Sequence, residues 1–272
     1  MTNSFQMRQK NGIKFLVCEP LEKIGFPHAF GTRIGGISPL PSQDLNLAYI
    51  NDKKENVDEN RKRFISALNI GINKIVTVKQ IHSDKAVYVN NDFQPNNPEP
   101  EADSLYSNRT DILLGVKTAD CLPLFLADPH TGYFASVHAG WRGSVKEVAK
   151  KTLFRLIKEV GVQEKNCWAT FGPTACGQCY EIEEDVYQIF RKGFSYADRI
   201  IKKSQENQKY LLDLVEFNKE QLIEAGIPSN QIISSGYCTM HQNDLFFSHR
   251  IEGAKSGGRV GRLLSVIGRI HF

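Results

Sequence analysis

Short apolar runs broken by Gly, Pro and Asp dominate the middle of the chain. Residues 112–116, 122–127 and 133–137 are three such runs. Their length and flanks predict buried strands rather than helices. Polar side chains collect at the seams: Thr118, Asp120 and Cys121 between the first two runs, and HAGWRG (138–143) after the third. Apolar positions then recur at helical spacing through Val145, Val148, Ala149, Leu153, Leu156, Ile157 and Val160. Ser144 and Glu147 have the spacing of a capping box, and Gly161 is placed to close the helix. HAGWRG is thus predicted to be a strand-to-helix loop. Its free backbone N–H groups, with Arg142 and Gly143 beside them, would suit a phosphate or carboxylate; an ordinary turn with a surface Arg explains the same residues.

The flanks alternate in the same way. Strands are predicted over 13–18, 75–81, 86–89, 167–171, 210–212, 232–237 and 260–270, and helices over 54–68, 181–190 and 214–225. Asp52 with Glu55, and Asp213 with Glu216, are further capping-box pairs. Residues 25–42 form a long Gly/Pro/Ser-rich loop carrying His28, Arg33 and the Gly35–Gly36 pair, and 93–100 form a Pro/Asn-rich connector. No repeat, low-complexity segment or linker divides the chain. Short strands mixed with helices predict one α/β (α+β layered) domain over 1–272, with mixed sheets flanked by helices.

Composition narrows the function classes. With 272 residues, 41% apolar and 24% charged residues and a formal charge of +4, the chain has no dense basic stripe of the kind that binds nucleic acid. No run reaches the length of a membrane span, and the polar N-terminal stretch does not read as a signal peptide, so a cytoplasmic protein is expected. The six Cys are then expected as reduced thiols. Cys176 and Cys179 have CxxC spacing, but no second CxxC completes a Cys₄ zinc site and no helix start follows. Two unrelated turn cysteines are the expectation there.

The candidate chemistry lies at strand ends. His82, Cys121 and His138 are two imidazoles and a thiol, the ligand inventory of a catalytic zinc site with an open fourth position. The same residue types also allow buried structural residues, or a Cys121–His138 nucleophile and base with Asp120 orienting the His. A structural metal clamp would need a fourth protein ligand, for which His28 and His249 are the candidates.

The segments HAFGTRIGGIS, VKQIHSD, ADSLYSN, GVKTADCLPLFLAD, SVHAGWRGS, GP-x-x-x-x-x-CYEI and FFSHR occur in this order across about residues 20–270. Together they resemble the YfiH/YlmD family, the laccase-domain or polyphenol-oxidase-like proteins regarded as purine nucleoside phosphorylases. The run TACGQC (174–179) departs from the family's more usual sequence there. The resemblance implies an α/β-layered domain with zinc on His82, Cys121 and His138. It also implies phosphorolysis of adenosine, inosine and methylthioadenosine, with deamination of adenosine. For deamination, zinc would lower the pKa of a water to about 7 for attack at C6 of adenine. On this reading, Arg33, Arg142 and Gly143 are candidates for phosphate, and Asn46, Gln80 and Asp120 for the nucleoside. A multicopper laccase needs many His in H-x-H pairs, and the seven His here form none. Copper could still replace zinc at the trio and give phenol oxidation as a side activity. Amide hydrolysis of a cell-wall precursor by Cys121 and His138 is a further idea the family carries.

Overall fold

The computed structural model describes residues 4–39, 44–94 and 98–270. Parts of the predicted 25–42 loop and 93–100 connector, namely 40–42 and 95–97, lie outside these. In chain order the strands are β1 (Phe5–Lys10), β2 (Ile13–Cys18), β3 (His28–Gly31), β4 (Lys74–Val76), β5 (Ala86–Tyr88), β6 (Ser104–Ser107), β7 (Ile112–Thr118), β8 (Leu122–Ala127), β9 (Phe134–Ala139), β10 (Trp168–Phe171), β11 (Glu181–Ile182), β12 (Lys202–Lys203), β13 (Tyr210–Leu211), β14 (Ile232–Ser234) and β15 (Leu263–Ile267). The helices are α1 (Glu19–Lys23), α2 (Lys54–Leu68), α3 (Trp141–Val145), α4 (Val148–Val160), α5 (Glu184–Gly193), α6 (Ala197–Ile200), α7 (Leu214–Glu224) and α8 (His249–Glu252). Among the described residues no helix is long and apolar enough to cross a membrane.

Two six-stranded mixed sheets carry the fold, in the orders β1-β2-β3-β15-β7-β4 and β14-β10-β8-β9-β6-β5. A small third sheet joins β11, β13 and β12. Alternation of side chains along a strand explains the layering. On β8, Phe125 and Ala127 turn inward to meet Leu16, Phe30 and Leu114 of the first sheet, while Leu122, Leu124 and Leu126 turn outward onto Leu153 and Leu156 of α4 and Phe217 of α7. Phe30 and Phe125 stack across the sheet interface, with ring centroids 4.6 Å apart. On the far face of the first sheet, Phe15, Leu113 and Val266 cover Phe64 and Ala67 of α2. The result is helix, sheet, sheet, helix. Every residue of β8 and β9 is buried; β8 therefore reads as a continuous apolar run rather than an alternating one, and β9 buries the polar Ser136 and His138 among apolar residues.

Local chemistry departs from the sequence expectation at several ends. The Asp213 cap is present, its side chain accepting from Glu216 N at 3.0 Å. The Ser144–Glu147 box is not formed. Glu147 has φ +60 and splits the expected helix into α3 and α4, and Ser144 Oγ accepts instead from Asn218 Nδ2. Nor is the Asp52–Glu55 box formed: Lys53 is the N-cap of α2, and Asp52 accepts from Lys53 N and Asn56 Nδ2. The predicted 75–81 strand stops at Val76, because residues 77–85 turn to deliver His82.

Candidate active site and metal centre

The chain passes from one large sheet to the other between β7 and β8, and Cys121 sits on that crossing. His138 is on β9, on the face opposite Val137 and Ala139, and is buried. His82 comes from the loop after β4. Its backbone is left-handed, φ +57, a conformation that costs a non-glycine residue energy and needs surrounding contacts to hold it. Those contacts come from Asp103, whose Oδ1 accepts from His82 N at 3.0 Å and whose Oδ2 accepts from Ile81 N, Ser83 N and Ser83 Oγ at 3.2, 2.6 and 2.7 Å.

The same Asp103 reaches His138. Its Oδ1 lies 2.8 Å from His138 Nδ1, so that nitrogen is engaged and Nε2 is left for the site. Cys121 Sγ is 3.9 Å from His82 Nε2, and the two imidazole rings meet edge-on with centroids 4.9 Å apart. One ligand atom from each of His82, Cys121 and His138 lies within 4.8 Å of the other two. A carboxylate behind a ligating His is the arrangement that fixes its tautomer and orientation toward a metal. Asp103 is a candidate functional residue that sequence reading missed. Its signal was its place in the ADS motif, with no periodicity to mark it.

The electrostatics agree with a charged site. Burial pushes the Cys121 thiol up, but the His138 charge and hydrogen bonds from His138 and His82 outweigh it and bring the thiol down to about 6. Burial pushes His138 down; the Cys121 thiolate and Asp103 outweigh that and raise it to about 9. Burial would raise Asp103, yet the His138 and Ser83 hydrogen bonds hold it down at about 2. The protein alone therefore stabilises a thiolate beside an imidazolium, and a dication would displace the imidazolium proton.

The trio forms one end of a cavity of about 760 Å³, within the range of small-molecule sites. Gln80, Lys117, His249 and Arg262 also line it, with the exposed apolar side chains of Tyr49 and Ile50. Lys117 is paired with Glu99 at 3.1 Å. Arg262 has no carboxylate partner among the described residues; its Nη1 donates to the carbonyls of Val260 and Gly261, and burial holds it below the ordinary Arg range.

Several of the expected ligand contacts are corrected by this geometry. Arg33 is buried between Asp44 at 2.5 Å and Glu252 at 2.9 Å and lies against Phe247, so its charge is already neutralised away from the cavity. Asn46 is buried, holding Ile50 O, Ala48 N and Arg262 N. The Asp120 carboxylate accepts from Thr239 Oγ1 and Arg250 N, both at 2.7 Å; it braces a left-handed turn rather than facing a nucleoside or orienting His138. Arg142 is exposed and stacks over Trp141 at 4.2 Å, while Gly143 is buried in the five-residue α3; neither lines the cavity. Gln80 does line it, with both amide atoms bonded to the Lys117 main chain at 2.8 Å. His28 is remote from the trio, accepting from Cys18 N and bonded to Phe26 O. His249 lines the cavity but lies outside the 4.8 Å group.

Comparison with known proteins bears on this site. Residues 27–270 match the family model described as multi-copper polyphenol oxidoreductase laccase. The chain is 30% identical over 246 residues to purine nucleoside phosphorylase YlmD of Bacillus subtilis, covering 88% of this chain and 87% of that one. The chain belongs to the YfiH/YlmD family. It is also 32% identical to a purine nucleoside phosphorylase of Deinococcus radiodurans, with 90% of each chain covered, and 30% identical to adenosine deaminase RL5 from an unknown prokaryotic organism, covering 87% and 95%. The crystal structure of YlmD from Geobacillus stearothermophilus superposes with a TM-score of 0.88 at 27% identity, covering 99% of this chain and all of that one. Membership in the YfiH/YlmD family makes the chain an enzyme of α/β architecture. Its His82, Cys121 and His138 cluster could hold a metal ion.

Proposed function

We propose that the chain is a zinc-dependent purine nucleoside phosphorylase acting on adenosine, inosine and S-methyl-5'-thioadenosine, with adenosine deaminase activity. The observation that carries this is the three-ligand cluster at the end of an open cavity, with no fourth protein ligand among the described residues. Two His and one Cys with an open position fit zinc in a catalytic rather than a structural role. The names of the relatives support the substrate class. When bound, zinc supplies Lewis acidity at the reacting end of the cavity.

The chain's own residues do the rest. Asp103 orients His138 and holds the His82 turn. Tyr49 and Ile50 offer an apolar wall for a purine. Arg262, desolvated and without a carboxylate partner among the described residues, is the anchor we assign to phosphate. Arg262→Ala should raise the KM for phosphate about tenfold to a hundredfold, the worth of a hydrogen bond to a charged group, and leave deamination of adenosine much less affected. An unchanged phosphate KM removes that assignment.

The deciding experiment is elemental analysis of wild type and Cys121→Ala, each assayed with adenosine with and without phosphate. Loss of trio zinc together with purine release supports the proposal. Loss of activity with the zinc count unchanged from wild type makes Cys121 a nucleophile. That outcome favours the Cys–His hydrolase reading, which the thiolate–imidazolium pairing also fits. Copper binds nitrogen sites more tightly than zinc, so copper-loaded protein should oxidise phenols as a side activity that zinc-loaded protein lacks.

A further inference from the structure

The expectation that Cys176 and Cys179 are unrelated turn cysteines does not survive the structure. Their sulfurs are 3.3 Å apart, Cys238 Sγ is 3.4 Å from Cys179 Sγ, and His241 Nδ1 is 3.7 Å from Cys176 Sγ. The four ligand atoms all lie within 4.8 Å of one another. Two loops supply them, one between β10 and β11 and the other between β14 and α8. In sequence the spacing is Cys-x-x-Cys followed by Cys-x-x-His, the pairing a structural zinc site takes, with His in place of the fourth Cys.

We infer that Cys176, Cys179, Cys238 and His241 form a second, structural metal site that takes zinc in a closed Cys₃His set. This does not rest on the function proposed for the trio. Zn–S bonds of about 2.3 Å place tetrahedral sulfurs about 3.8 Å apart, which these sulfurs reach with small shifts. The backbone is arranged as a pair of ligand turns. Cys179 N and Tyr180 N both donate to Cys176 O, at 3.1 and 3.0 Å. His241 N points at Cys238 Sγ at 3.5 Å, and Gln242 N donates to Cys238 O at 3.0 Å. The two loops are laced together by the Thr174–Cys238 bridge. A disulfide between any two of the thiols would leave the third thiol and His241 unaccounted for, whereas one soft dication uses all four.

The position of this site gives it a purpose. Thr174 Oγ1 and Ala175 N donate to Asp120 O at 2.7 and 3.0 Å, and Thr239 Oγ1 donates to Asp120 Oδ1. These three residues lie within two positions of Cys176 or Cys238. The clamp therefore locks the loops that hold Asp120 in its left-handed turn, directly before Cys121 of the trio. It is a positioning device for the first site and touches no substrate.

The test is metal counting on the intact chain expressed with zinc under reducing conditions. Wild type should hold two zinc ions per chain. Cys121→Ser and Cys179→Ser should each hold one, and the double variant none. In the Cys121→Ser background, cobalt(II) should show an intense thiolate-to-cobalt charge-transfer band that is lost with Cys179→Ser added. Should Cys179→Ser not fold, the exposed His241 gives the same answer: His241→Ala should hold its second zinc at least about tenfold more weakly against a chelator, and His241→Cys should keep it. A zinc count unchanged from wild type in both Cys179→Ser and His241→Ala, or a disulfide among the three thiols in freshly isolated protein, would each overturn the inference; a single zinc in wild type that is lost with Cys179→Ser and kept in Cys121→Ser would instead remove only the trio zinc.

Discussion

Asp103 does more than any other single side chain to hold the candidate site together. One buried carboxylate takes five donors from residues 81–83 and His138. Asp103→Asn keeps the shape but replaces one acceptor oxygen with a donor, facing groups that also donate. Affinity for the trio metal should drop about tenfold to a hundredfold, measured by competition with a chelator; an unchanged affinity would mean that Asp103 only supports the turn. His28 tests burial instead. Desolvation brings its pKa from 6.5 down to about 4, so between those values the unfolded chain binds a proton that the folded chain refuses. Stability is therefore full above about pH 6.5, falls as pH drops through that window, and loses about 3 kcal/mol by pH 4 from this group. His28→Gln should flatten the pH 4–6.5 part of the stability curve in urea titrations, whatever it does to stability at neutral pH.

At the scale of elements, the strands were legible and many of their ends were not. Residues 112–116, 122–127 and 13–18 read as strands because apolar runs bounded by turn residues have few other ways to be buried. The β1–β2 hairpin was missed on its first strand, where polar Gln and Arg interleave with Phe5 and Met7. Yet Asn11 and Gly12, at φ +51 and +80 between the Lys10–Ile13 pair, are the sequence mark of a two-residue hairpin turn. Capping boxes divided by context. Asp213 caps because α7 begins there, and Asp213→Ala should cost about 1 kcal/mol in chemical denaturation. Ser144 does not, because packing of α3 against α7 draws it to Asn218. The link before α3 makes a sharper prediction. Gly140 has φ −73, open to any residue, but a Cβ there would stand 2.9 Å from Cys121 Sγ and 3.0 Å from His82 Cδ2. Gly140→Ala should therefore weaken trio metal binding and activity by about tenfold or more, with a smaller effect on the midpoint of unfolding than a core truncation, which costs 2–5 kcal/mol.

For the whole molecule, the separation between what the chain announces and what folding decides follows the range of the forces. Periodicity, turn chemistry and soft-ligand residue types are local properties, so the α/β class and the central strands were within reach of the sequence alone, and His82, Cys121 and His138 could be named there as candidates that folding then brings together. Side-chain partnership is not local. Arg33 looked free for an anion until folding brought Asp44 and Glu252 to it, and Arg262 entered the cavity only because β15 lies beside β7 in the first sheet. Cys176 and Cys179 lacked a second pair until the parallel pairing of β10 with β14 set Cys238 and His241 beside them. The sequence by itself determined which residues had the chemistry to hold a metal and which segments had to be buried. Only the tertiary structure decided which charges were already neutralised, which thiols met and where the cavity opened, because burial and proximity arise when distant segments pack.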